Sequence, residues 1–160
     1  MEIRPARPDD AAAIWSILEP VIRAGETYTL DRDMGEAEAL AYWLGPDKET
    51  FVAEADGAIL GTAYMRPNQG GGGAHICNCG FMTAASATGR GVARAMGLHS
   101  FEAARAQGFT AMQFNIVVAT NTHAVALWTS LGLREVGRLP GVFRHPVQGP
   151  VDALVMHRSL

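Results

Sequence analysis

Thr88-Gly89-Arg90-Gly91-Val92-Ala93 is the stretch on which the reading of this chain turns. It follows a strand-like run, Ala74 to Thr83, and opens a run from Gly91 to Gln107 in which Val92, Met96, His99 and Ala103 recur at helical spacing. Glycines at 89 and 91 let the backbone approach a ligand closely and leave amides unpaired. The helix mouth adds more free N–H groups and a partial positive charge. Such a place suits an anion, phosphate above all. Taken alone, Gly-Arg-Gly is explained equally well as a plain strand-to-helix turn. A dinucleotide-binding fingerprint fits poorly, because the third glycine is missing and no β-α-β unit opens the chain.

Working outward, Glu2 to Ala6 reads as a short strand, and Pro8-Asp9-Asp10 supplies helix-start chemistry. The helix carries Ile14, Leu18, Val21 and Ile22; Pro20 is expected to kink it and Gly25 to stop it. After the loop Glu26-Thr27-Tyr28-Thr29-Leu30-Asp31, residues from Met34 to Leu44 suit a second helix. Phe51–Ala55 and Ile59–Met65 are strands joined by an Asp56-Gly57 turn, a strong hairpin signal. The glycine run 70–73 connects to the strand Ala74–Thr83. Beyond Gly108 come a strand at Ala111–Val118, a helix at Asn121–Leu131, and strands at Arg134–Arg138 and Val151–Arg158. The order β-α-α-β-β-β-α-β-α-β-β predicts one mixed α/β domain over residues 1–160: an antiparallel meander followed by a right-handed crossover that leaves two strands parallel.

The bulk composition fits one ordinary domain of 160 residues, with 48% hydrophobic and 18% charged residues. A net charge of -3 and the absence of any long basic run argue against nucleic acid and anionic membranes as partners. No apolar leader opens the chain, and no stretch approaches ~20 uninterrupted apolar residues. The expectation is a cytoplasmic protein. Cys77 and Cys79 lie two apart on one strand, but no second Cys or His pair completes a metal set, so no metal is expected and buried free thiols are the better reading.

With these elements in order, the chain resembles the GNAT superfamily of N-acetyltransferases over essentially its whole length. The superfamily's Arg/Gln-x-x-Gly-x-Gly/Ala signature stands here as Thr88-Gly89-Arg90-Gly91-Val92-Ala93, with Thr replacing Arg or Gln at the first position. That change removes a side chain but none of the backbone donors. A second element, usually Asn-x-x-Ala-x-x-x-Tyr-x-x-x-Gly-Phe, stands as Asn121-x-x-Ala124-x-x-x-Trp128-x-x-x-Gly132-Leu133. The resemblance implies acetyl-CoA as cosubstrate. Phe81, Met82 and Thr83 would pair with its pantetheine arm, Thr88 to Ala93 would hold its pyrophosphate, and Asn121, with Trp128 nearby, would meet the arm from the far side. It also implies a splayed parallel strand pair and a homodimer.

The chemistry implied is attack of a neutral amine on a thioester polarised by a backbone N–H. Two of the family's usual helpers are missing. The strand 74–83 contains no carboxylate, and Trp128 replaces the tyrosine that often acts as acid. Asn78 and Asn115 interrupt apolar strands instead, and a buried amide needs a partner. Either they bond each other or backbone freed by the splay, or they orient a substrate amine or carboxylate. Ala74-His75-Ile76-Cys77-Asn78 and Phe114-Asn115 followed by Thr120-Asn121 look like the yeast proline-analogue acetyltransferase branch, where strand asparagines contact an imino acid. Glu26, Thr27 and Tyr28 are similar to the acceptor loop of the phosphinothricin and methionine-sulfoximine branch. Glu26 would draw an ammonium and Tyr28 would form an apolar wall, unless the loop is simply solvated. His145, with Arg144, would rim the pocket and meet a carboxylate. His99, Trp15 and Trp43 read as packing residues, and Asp152 as a turn residue.

The expectation is therefore an acetyl-CoA-dependent acyltransferase acting on a small amino-acid-like or imino-acid-like amine. A peptide N-acetyltransferase and a non-catalytic acyl-CoA-binding module are the alternatives.

Overall fold

A computed structural model describes all of residues 1–160. Seven strands form one sheet in the order β1-β2-β3-β4-β5-β7-β6: β1 (Glu2–Pro5), β2 (Glu49–Ala55), β3 (Ala58–Pro67), β4 (Ile76–Thr83), β5 (Ala111–Val118), β6 (Arg134–His145) and β7 (Gly149–Ser159). All neighbours run antiparallel except β4 and β5. Four helices cover it: α1 (Ala11–Ala24), α2 (Glu36–Trp43), α3 (Val92–Ala106) and α4 (Thr122–Ser130). The expected order of elements holds. The Asp56-Gly57 turn has positive φ at both residues, 54° and 76°, as a two-residue hairpin requires.

The period of two along the strands assigns each helix pair a face. Val52, Tyr64 and Met82 pack with Ile14, Leu18, Ile22 and Trp43 of α1 and α2. The alternate residues Ala53 and Ala63 pack with Val92 and Met96 of α3, and Phe51 and Met65 pack with Phe101, Trp128 and Leu131. Trp43 is fully buried, and its indole N–H is satisfied by Thr62 Oγ1 at 2.9 Å. Glycine at 80 has a steric cause: a Cβ there would come within 2.5 Å of the Tyr64 ring lying across it from β3.

Some boundaries match the sequence reading and others differ, for local reasons. Helix α1 runs through Pro20 to Ala24, and Gly25 ends it as expected, in the left-handed region at φ 65°, its N–H on the Val21 carbonyl. The carboxylate of Asp10 fixes its start by accepting from Arg7 N–H at 2.7 Å and from both Arg4 terminal nitrogens at 2.8 and 2.9 Å. That guanidinium holds the Asp10 carboxyl below its usual range. Ala74 and His75 fall outside β4. The last two strands form one long hairpin, β6 reaching His145, because Asp152 on β7 accepts the Gly141 N–H at 2.9 Å and keeps the ladder together across an irregularity. Cys77 and Cys79 are both buried free thiols. His99 is half-buried, its ring edge-on to Phe51 at 4.9 Å. No helix is long and apolar enough to cross a membrane.

Candidate active site

The parallel ladder between β4 and β5 lasts only two registers, Ile76 with Ala111 and Cys77 with Met112. From there the strands part. The Asn78 side chain takes over where the next ladder bond would fall, donating Nδ2 to the Gln113 carbonyl at 2.9 Å. An edge carbonyl that β4 no longer reaches is thereby satisfied. The separation opens a cavity of about 360 Å³. β3 contributes Tyr64 and Arg66 to its wall, β4 contributes Asn78, Phe81, Met82 and Thr83, and β5 contributes Phe114 and Asn115. Asn121 and Trp128, from the start and body of α4, close the far side.

An aromatic trio forms part of that wall. Trp128 packs at 4.8 Å from Phe81 and 5.1 Å from Phe114, ring centroid to centroid. Its indole is a packing surface across the gap. Asn121 caps α4, its Oδ1 accepting from Ala124 N–H at 3.3 Å. Tyr28, on the loop after α1, reaches in from the other face. Its hydroxyl accepts from Phe81 N–H at 2.7 Å and donates to the Phe81 carbonyl at 2.8 Å. One phenol thus occupies both polar groups of a single β4 peptide edge. Burial raises the Tyr28 pKa well above the usual tyrosine range, so the hydroxyl keeps its proton.

Beyond one end of the gap lies the Gly89–Gly91 turn. Both glycines have positive φ, 77° and 76°, and neither has any atom near where a Cβ would stand. The constraint there is backbone conformation, not space. None of the amides of Gly89, Gly91, Val92, Ala93 and Arg94 has a protein acceptor, and the first bond of α3 runs from Ala95 N–H to the Gly91 carbonyl at 3.0 Å. Free amides converge at the positive end of a helix, which fits a pyrophosphate.

Residues 13–133 match the sequence pattern described as the acetyltransferase (GNAT) family. The chain belongs to that family. It is an N-acetyltransferase with acetyl-CoA as acetyl donor. A curated relative, N-acetyltransferase aca1 of Schizosaccharomyces pombe, is 30% identical over 156 residues, covering 84% of this chain and 72% of that protein. A solved N-acetyltransferase from Kribbella flavida is 45% identical, with a TM-score of 0.94 over 99% of this chain and 97% of that one. A phosphinothricin acetyltransferase of Sinorhizobium meliloti, solved in complex with acetyl-CoA, shares the fold at 21% identity and TM-score 0.87, over 99% of this chain and 88% of the other.

The acetyltransferase's tertiary structure sorts the residues singled out in the sequence. Thr27, Tyr28, Asn78, Phe81, Met82, Thr83, Asn115, Asn121 and Trp128 all meet at one cavity. Asn78 and Asn115 do not bond each other. Asn115 accepts from Gln113 Nε2 at 3.1 Å and donates to Asn68 Oδ1 at 2.7 Å, forming a short chain of amides along the wall. Two expectations are corrected. Glu26 is exposed and takes no part in the cavity wall. His145 is buried at the end of β6, where its Nδ1 accepts the N–H groups of Val147 and Gln148, each at 3.2 Å. It closes the last hairpin, because the β6–β7 ladder extends past the point where a free rim was expected. Tyr28 also does more than form an apolar wall, since its hydroxyl reaches the β4 backbone. Arg66 was not foreseen. Its signal was faint, one cation among apolar strand residues, and only the strand register places it beside Asn78.

Proposed function

We propose that this acetyltransferase acetylates the nitrogen of a small amino-acid-like or imino-acid-like acceptor by direct transfer from acetyl-CoA. The observation that carries the proposal is the cavity between β4 and β5. At about 360 Å³, walled by three strands and crossed by Tyr28, it matches the scale of a small-molecule site. An extended peptide is better served by an open groove. The resemblance of Ala74–Asn78 and Phe114-Asn115 to the yeast proline-analogue branch, and of Glu26–Tyr28 to the phosphinothricin branch, supports the same acceptor class. The family resemblance also supports a homodimer.

Acetyl-CoA supplies the acetyl group as a thioester. In this proposal the free amides of Gly89, Gly91, Val92, Ala93 and Arg94 bind its pyrophosphate, with Thr88 and Arg90 beside them. Phe81, Met82 and Thr83 line the arm on the β4 side, with the Phe81 N–H and carbonyl held by Tyr28, while Asn121 and Trp128 border it from α4. Asn78 and Asn115 orient the acceptor, with Thr27 and Tyr28 above it. No carboxylate or histidine stands on the cavity wall to take a proton. The acceptor amine therefore arrives neutral, or loses its proton through water. Trp128 donates no acid proton, and holding the two reactants in line supplies most of the acceleration.

A coenzyme A release screen with acetyl-CoA tests this against imino acids, phosphinothricin, methionine analogues, polyamines and peptides. Thiol release with one or more of the small acids is expected. Release with peptides alone would overturn the acceptor class while leaving the family assignment in place.

A further inference from the structure

Arg66 is the one charged residue on the cavity wall, and no Asp, Glu, Lys or His accompanies it there. It stands on β3 directly across from Asn78 on β4, so the two side chains emerge on one face of the sheet. Its guanidinium is incompletely paired. One terminal nitrogen lies 3.4 Å from Asp47, a long contact to a carboxylate whose side chain is 54% exposed. Asp47 is already held by Lys48 Nζ at 2.9 Å, and that contact keeps its carboxyl below the usual range. Arg66 Nε is buried and has no acceptor at all. The second terminal nitrogen has no protein acceptor and is not buried, so it is the part of the guanidinium that an oxyanion in the cavity can reach.

The surroundings strengthen the positive end. Lys48 Nζ lies 4.5 Å from the Tyr42 ring and 5.6 Å from the Tyr64 ring, and both rings line the cavity. Two cations therefore face a single carboxylate, Asp47, at this end. Next to Arg66 the chemistry changes. Asn78 uses its Nδ2 on the Gln113 carbonyl, while its Oδ1 takes no protein donor. An acceptor N–H can therefore point at an amide oxygen, while a group one strand away meets a guanidinium.

We propose that Arg66 binds the carboxylate of the acceptor, so that the preferred substrates carry an amine and a free carboxylate on adjacent atoms, as α-amino and α-imino acids do. The cross-strand spacing of Arg66 and Asn78, about 5 Å between their Cβ atoms, suits that pairing. A polyamine brings a second cation to Arg66 and is disfavoured. An acceptor whose carboxylate is blocked as an amide leaves the free terminal nitrogen without an anionic partner. This inference rests on the reading of the cavity as the acceptor site.

The test compares each acid with its carboxamide, proline with prolinamide and methionine with methioninamide, with acetyl-CoA saturating. The wild-type protein is expected to favour the acids by about 10²-fold in kcat/KM. Arg66→Gln reduces that preference to within about threefold, through a higher KM for the acid at nearly unchanged kcat. Arg66→Lys restores part of it, and both variants retain wild-type acetyl-CoA affinity and melting temperature. An acid preference that persists in Arg66→Gln would overturn the assignment of Arg66. Equal turnover of acid and amide by the wild type would do the same, while leaving the small-acceptor reading intact. Turnover of peptides and of none of the four small amines removes both.

Discussion

The two ends of the β4–β5 gap present different kinds of group. At the α3 end the free donors are the backbone amides of Gly89, Gly91, Val92, Ala93 and Arg94, displayed by two glycines with positive φ and by an uncapped helix mouth. At the opposite end, on the α1–α2 face, the groups are side chains: Tyr28 from a loop, Arg66 from β3, Asn78 from β4 and Asn115 from β5. Backbone donors depend on chain geometry and tolerate side-chain change, so Thr88, standing where the family carries Arg or Gln, removes none of them. Side-chain recognition has no such tolerance. Each group is one substitution away from loss, and each is held by a different strand or loop.

That contrast is open to direct attack. The largest expected effect comes from Gly91→Val. A β-branched residue at φ 76° costs ~1–3 kcal/mol of backbone strain, although the space beside it is free. The amide array is expected to distort, and acetyl-CoA affinity to fall by up to about 10²-fold by calorimetric titration, with the melting temperature lowered by ~2–10 °C. Unaltered affinity would show that the amides do not bind the cofactor. A smaller effect is expected from Asn115→Ala, which cuts the amide chain from Gln113 to Asn68. Acceptor KM should rise by about tenfold, ~1.4 kcal/mol, while acetyl-CoA affinity holds. If both turnover and acceptor KM stayed at wild-type values, Asn115 would have no orienting role. Thr88→Ala sharpens the comparison from the other side. With the amides intact, cofactor affinity should change by less than about threefold, since a surface side chain away from core and strain is worth within about 0.5 kcal/mol. A tenfold loss would mean that the Thr88 hydroxyl takes part after all.

Much of this was legible along the chain because it is local. Every strand and helix of the expected order is present, and Ala111–Val118 agrees to the residue. Asp56-Gly57, Gly25 and the pair Gly89 and Gly91 each impose a backbone conformation that their neighbours cannot avoid. The asparagines at 78 and 115 stood out because amides interrupt apolar strands. Of the readings offered for Asn78, its amide satisfies backbone freed by the splay, and the residue also lines the cavity. His145 and Glu26 misled because exposure and strand length at the chain's loops depend on partners far away in sequence. The β6–β7 ladder absorbed one, and the loop after α1 turned the other to solvent.

The sequence by itself determined the family, the acetyl donor and the order of elements, because glycine spacing, turn chemistry and hydrophobic periodicity act within a few residues. Only the tertiary structure decided what lines the cavity. The register of β3 on β4 sets Arg66 beside Asn78. The short ladder between β4 and β5 opens the cavity they line, and the return of the first loop lays Tyr28 against Phe81. Tyr28 and Phe81 are 53 residues apart in the chain. No local pattern encodes a contact of that kind; it follows from the packing of the whole sheet against its helices.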